Sequence, residues 1–180
     1  MKANKICLFA WVALLLPGWS CQQQAAGGGK LFTRMEASHT GIDFENKLTN
    51  DRKFNIYTYR NFYNGGGVGM GDFNGDSLID VYLTANMLPN RLFLNRGDFR
   101  FTDVTEQAGV SGTRAWSTGV SVADVNGDGL LDIYVCNSGD VEGDNKQNEL
   151  FINQGTLPDS DVPVFKEAAE QYGLADRGFS

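Results

Sequence analysis

The sequence predicts an all-β fold assembled from repeated four-stranded units. Three observations carry that expectation: a turn-rich composition, short apolar runs separated by turn residues, and one block of sequence that occurs twice. Of the 180 residues 22 are Gly and only 4 are Pro, and Asp outnumbers Glu by 15 to 7. Asp and Gly favour turns over helix interiors, so many tight turns and few long helices are expected. The 42% hydrophobic fraction is enough to bury a core. A formal charge of -7 argues against a broad nucleic-acid surface, which needs a basic face to neutralise phosphate.

The doubled block is the strongest of the three. Gly71-Asp72-Phe73-Asn74-Gly75-Asp76-Ser77-Leu78-Ile79-Asp80-Val81-Tyr82 recurs as Ala123-Asp124-Val125-Asn126-Gly127-Asp128-Gly129-Leu130-Leu131-Asp132-Ile133-Tyr134, 52 residues later. Asn90 to Gly97 recurs as Asn148 to Gly155 at an offset of 58, and Phe101 to Val110 matches Phe165 to Leu174 at an offset of 64. The growing offset places extra residues in loops, around Gly139 to Lys146 and then Thr156 to Val162, where insertions cost little.

Within each copy the elements follow in order. Gly65-Gly66-Gly67, Gly69 and Gly71 suit close backbone packing on a strand; no Lys-Ser/Thr follows, so this is not a phosphate loop. Val81-Tyr82-Leu83 and Arg91-Leu92-Phe93-Leu94 read as strands, as do Phe99 and Phe101 alternating with Arg100 and Thr102. Asn95-Arg96-Gly97-Asp98 supplies a hairpin turn. Brief helical turns are expected at Glu106 to Ala108 and Glu167 to Tyr172. Short strands at a period of 52 to 64 residues describe a blade of a β-propeller better than a helical solenoid. Arg114-Ala115-Trp116-Ser117 also matches Arg177-Gly178-Phe179-Ser180, so the expected fold is a partial β-propeller of about two blades plus the start of a third, the front part of a longer protein.

The beginning of the chain reads as an export signal. Lys2 and Lys5 precede an apolar run from Ile6 to Leu16, too short to span a bilayer permanently, and Ser20 stands directly before Cys21. The segment resembles a bacterial lipoprotein signal, which implies removal of residues 1–20 and lipidation of Cys21, with 21–30 as a flexible tether and 31–180 as the folded domain. Trp19 and Gly18 depart from the strict pattern of such signals. Gln22 resembles the residue after the cysteine in lipoproteins sent to the outer membrane, facing the periplasm or the cell surface. The mature chain would hold 22 acids against 13 bases, no transmembrane helix, and membrane contact through the lipid alone. Cys136 is left as a buried structural thiol, and no disulfide framework is possible.

The repeated acidic loop is the candidate site. Side-chain oxygens fall at positions 1, 3, 5 and 9 in both copies: Asp72, Asn74, Asp76 and Asp80, then Asp124, Asn126, Asp128 and Asp132. The backbone carbonyls of Leu78 and Leu130 stand at position 7. A donor set of hard oxygens without His or thiol suits Ca²⁺, with Mg²⁺ less favoured because it demands a tighter octahedron. An EF-hand would need a Glu at position 12, where Leu83 and Val135 stand. Position 6 is Gly129 in the second loop but Ser77 in the first, so a positive φ there would favour the Asp124 site over the Asp72 site. Without metal the same Asp and Asn residues could serve simply as turn formers.

These loops, each followed by Leu-x-Asp and a β run, resemble the FG-GAP or VCBS repeats of integrin-α-type β-propellers. With Gly41-Ile42-Asp43-Phe44-Glu45-Asn46, Tyr63-Asn64-Gly65-Gly66-Gly67 and Trp116-Ser117-Thr118-Gly119-Val120, the chain is similar to bacterial exported VCBS-repeat proteins that often carry a C-terminal ASPIC/UnbV domain. The resemblance implies a Ca²⁺-stabilised propeller, usually of seven blades, and no ASPIC/UnbV segment lies within these residues. The expected function is a lipid-anchored calcium-binding module for a protein or glycan in the cell envelope. The alternative is the front part of a propeller hydrolase or lyase whose catalytic residues lie elsewhere. His39 is the only histidine, no Gly-x-Ser-x-Gly elbow is present, and Asp103 with Glu106 suit turn and helix-start roles, so no enzyme is expected from these residues.

Overall fold

The computed structural model describes residues 31–112, 116–139 and 147–178. The export signal, Cys21 and most of the first loop insertion therefore lie outside the described residues. The chain divides into a unit Met1–Arg34, of which residues 31–34 form neither helix nor strand, and a compact unit from Met35 onward that holds every element. Among the described residues no helix is long and apolar enough to cross a membrane.

Among the described residues the compact unit is all-β apart from three four-residue helical turns. Its first antiparallel sheet contains β1 (Val68–Gly71), β2 (Asp80–Leu83), β3 (Arg91–Asn95) and β4 (Phe101–Asp103), in that spatial order. The second contains β5 (Ser117–Ala123), β6 (Asp132–Asn137), β7 (Glu149–Thr156) and β8 (Pro163–Glu167), again in chain order. Each copy of the repeat is thus one four-stranded meander, and corresponding residues occupy corresponding registers: Gly69 pairs with Tyr82 as Ser121 pairs with Tyr134.

The helical turns α1 (Ala37–Thr40), α2 (Thr105–Ala108) and α3 (Ala169–Tyr172) each stop at a glycine with positive φ. Two of them fall where the sequence places them. Phe99 departs from expectation: it lies in the β3–β4 turn at φ 56 and 66% exposed, and β4 begins only at Phe101. The turn Arg96–Arg100, closed by Arg100 N–H to Gly97 O at 2.9 Å, requires the extra residues that break the Phe99/Phe101 alternation.

The two sheets pack face to face around one core. The first contributes Tyr82, Leu92 and Leu94, and the second Ile133, Val135 and Phe151, all buried. At the inner strands the contact is closer still, because a Cβ on Gly71 would stand 2.7 Å from Leu131 and one on Gly69 would stand 2.9 Å from Val122. Side-chain-free positions on β1 let β5 approach, which gives the run of glycines its role.

Trp116 belongs to neither sheet core. It is buried in an aromatic cap with Phe54, Tyr59 and Phe62, its ring centroid 4.8 Å from Phe54 and 4.9 Å from Tyr59. Residues 42–67 therefore fold against one end of the sheets without forming a strand, and Tyr59 shares a hydrogen bond with Ser138.

Candidate metal centre

The two acidic loops join β1 to β2 and β5 to β6, and they fold identically. Asp72 turns its carboxylate back over the loop, with Oδ1 accepting from the amides of Gly75 and Asp76 and Oδ2 from that of Ser77 at 2.8 Å. Asp124 does the same with Gly127, Asp128 and Gly129. Asp76 accepts from the Leu78 amide and from Asn74 Nδ2, and Asp128 from Leu130 and Asn126. Positions 1, 3, 5 and 7 thus lie on one curled turn. The curl depends on positive φ at Gly75 and Gly127 and again at position 6, where Gly129 has φ 86 and Ser77 has φ 69. Ser77 holds a conformation that a residue with a Cβ reaches only at a cost.

The position-9 aspartates serve the fold directly. Asp80 is fully buried, accepting from Phe73 N–H at 3.0 Å and Asn95 N–H at 2.8 Å. Asp132 is buried as deeply and accepts from Val125 and Asn153 at 2.9 and 2.8 Å. Each therefore locks the start of its loop to the end of the third strand. Burial pushes the Asp80 carboxyl above the usual range; the Asn95 and Phe73 amides oppose the rise, and the charges of Asp76 and Asp72 add to it. The Gly129 amide holds the exposed Asp124 carboxyl low, slight desolvation acts against it, and the Gly127, Asp128 and Asn126 amides reinforce it.

The donor set at each loop comprises three carboxylates, one amide oxygen and a backbone carbonyl, all hard oxygens that fit a Ca²⁺-type cation. Among the described residues no three His, Cys, Asp or Glu groups are drawn tightly enough together to form a metal cluster, because the carboxylates are spread over the loop amides. No described Lys or Arg pairs with any of the six aspartates; the two described ion pairs are Arg91–Asp103 and Arg96–Asp161.

Other residues singled out in the sequence occupy structural positions. Asp103 accepts from Thr105 N–H and Oγ1 and pairs with Arg91 at 2.9 Å, so it organises the entry to α2. His39 Nε2 lies 3.0 Å from the Asp98 carbonyl. Cys136 is free and half-buried on β6, where burial raises its thiol pKa, so it is less enclosed than the apolar run around it suggests. Two site residues were not apparent as such in the sequence. Asn95 and Asn153 close the acidic loops through their amides to Asp80 and Asp132, and their Nδ2 atoms bond Ile79 O and Leu131 O at 3.0 and 3.2 Å. Their signal was the recurrence of Asn-x-Gly at the end of the third strand, which reads equally well as a turn.

Two four-stranded antiparallel sheets, each with an acidic turn between its first two strands, make up the repeats, and residues 72–135 match the family model described as FG-GAP-like repeat. Among similar proteins, cartilage acidic protein 1 of Homo sapiens is 41% identical over 76 residues, covering 42% of this chain and 12% of that protein. Cartilage acidic protein 1 of Xenopus tropicalis is 33% identical over 97 residues, 53% of this chain and 14% of that protein. The protein of the same name from Mus musculus is 37% identical over 73 residues. The chain thus spans between 11% and 14% of the length of these relatives.

Proposed function

We propose that the chain is an exported, lipid-anchored repeat protein that holds one Ca²⁺ in each acidic loop and presents its braced sheets to a protein or glycan partner. The observation that carries this reading is the set of six loop aspartates that no described basic side chain offsets, arranged identically in both copies. Three carboxylates on a nine-residue turn repel one another, and a hard divalent cation is the partner that relieves this most directly. Asp72, Asn74, Asp76, Asp80 and the Leu78 carbonyl would hold one ion; Asp124, Asn126, Asp128, Asp132 and the Leu130 carbonyl would hold the other. The ions would brace the sheets and take no part in chemistry. The export signal before Cys21, and the lipid on Cys21, supply the anchor in this reading, with the protein in the cell envelope.

Calorimetric titration of Ca²⁺ into metal-free protein tests the central claim. Binding heat and a melting temperature lowered by EDTA are expected; no heat together with an unchanged melting temperature overturns it.

A further inference from the structure

The aromatic cap over Trp116 turns a basic, tyrosine-bearing surface outward. Residues 51–64 fold as consecutive tight turns held by Asn55: its Nδ2 donates to Asp51 O at 2.9 Å, its Oδ1 accepts from Tyr57 N–H at 2.9 Å, and its carbonyl accepts from Tyr59 N–H at 2.8 Å. Phe54, Tyr59 and Phe62 pack against Trp116 on the inside. On the outside Arg52, Lys53 and Arg60 are exposed, together with Tyr57 at 95% and Tyr63 at 65%. Three bases thus stand against one acid, Asp51, in a chain whose net charge is -7. The Asp51 carboxylate is already taken by the Lys53 and Phe54 amides, both at 2.7 Å. Among the described residues Arg52, Lys53 and Arg60 make no ion pair.

We propose that this cap binds an acidic polysaccharide whose anionic groups are carboxylates, a polyuronate. The inference rests on the reading of the chain as a partner-binding module and names the chemistry of the partner. The arginine forks match carboxylates in geometry, and the two exposed rings offer flat faces for the apolar side of a sugar ring. The exposed Asn64 side chain, which makes no hydrogen bond among the described residues, can take a hydroxyl. The surface is also set in advance, which lowers the cost of binding. Asn46 Nδ2 donates to Asn86 Oδ1 at 2.7 Å, Tyr59 shares a hydrogen bond with Ser138, and the Tyr63 ring stands edge-on to Phe62 with centroids 5.0 Å apart. The cap covers the strand ends at which β1 and β5 begin, whereas the acidic loops leave the opposite ends. The two sheets meet through their faces, so a surface laid across strand ends is not one on which a further sheet would pack. The chain enters the compact unit at the acidic end, where His39 Nε2 lies 3.0 Å from Asp98 O in the β3–β4 turn. The cap is therefore the end remote from that entry, and the end that an anion approaches with least repulsion.

Calorimetric titration of short oligogalacturonates into the full chain, with both solutions dialysed against one Ca²⁺ buffer, tests the proposal. Binding that weakens as salt is raised is expected, with none to neutral dextran. Replacing Arg52→Gln and Arg60→Gln together is expected to weaken it about tenfold, the loss of two exposed ion pairs. Tyr57→Ser with Tyr63→Ser is expected to weaken it several-fold, while Arg100→Gln, at the acidic end, leaves it unchanged. All these side chains are exposed, and circular dichroism confirms that each variant folds. Polyglutamate carries the same charge without a sugar face and is expected to bind more weakly. No binding to oligogalacturonate overturns the proposal, as does an Arg100→Gln loss equal to that of the cap variants. Polyglutamate binding as tightly as oligogalacturonate overturns it in favour of an acidic polypeptide. Titration of Ca²⁺ alone reads the loops at the other end of the sheets, so failure of the metal reading is seen separately.

Discussion

Asn153 Nδ2 donates to the main-chain carbonyl of Phe73 at 2.9 Å, joining the third strand of the second sheet to the acidic loop of the first across 80 residues of sequence. The same side chain bonds Leu131 O and accepts from Gly155 N–H, while its backbone amide caps Asp132. One buried asparagine thus ties together an acidic loop, a hairpin turn and the neighbouring sheet.

Asn153→Ala is expected to cost about 2–3 kcal/mol, because it leaves buried carbonyls without donors as well as removing its own bonds. Asn95→Ala, at the equivalent but partly exposed position with no bond to a second sheet, is expected to cost about 1 kcal/mol. Urea denaturation of the two variants measures both; equal losses would contradict the bridging role of Asn153.

The first acidic loop carries strain that the second lacks. Ser77 sits at φ 69 where the second loop has Gly129 at φ 86. Ser77→Gly is expected to stabilise the protein by up to about 1 kcal/mol, the relief of the left-handed conformation less the greater backbone entropy of glycine in the unfolded chain. The reciprocal Gly129→Ser is expected to destabilise by a similar amount, and thermal melts of the pair give the comparison.

The two repeat tyrosines make the same bond in different surroundings. Tyr82 is fully buried between the sheets, and burial drives its phenol pKa upward, so it stays a neutral donor to Val110 O. Tyr82→Phe strands that carbonyl in the core and is expected to cost about 1–2 kcal/mol. Tyr134→Phe leaves Leu174 O within reach of water and is expected to cost less than half as much. Denaturation midpoints of the two variants test this ratio.

In metal-free protein the loop carboxylates are expected to titrate in a definite order. The folded Asp80 lies above the usual aspartate value of 3.8, so its contribution is fully present below that value and is lost as the pH rises through the raised one. Asp124 lies below 3.8, so its contribution is present above 3.8 and is lost as the pH falls through the depressed value. Carboxyl-carbon NMR titration should give Asp80 the higher midpoint; the reverse order would contradict the buried placement of Asp80.

The sequence alone determined the repeat and the chemistry of its loops. Hydrophobic runs such as Val81-Tyr82-Leu83 and the spacing of Asp72, Asn74, Asp76 and Asp80 are local patterns, and local patterns survive in a linear reading. Tertiary structure decided what those residues touch. Phe99 looks like a strand residue until the β3–β4 turn takes it, and Trp116 joins no sheet core because residues 54–62 fold over it. Asp80 and Asp132 read only as ligands until the third strand brings the amides of Asn95 and Asn153 to them. The role of Gly69 and Gly71 also emerges only once they are seen against Val122 and Leu131. These contacts depend on which strands become neighbours, and burial and close approach between segments 50 or more residues apart are set by packing, which no single stretch of sequence encodes.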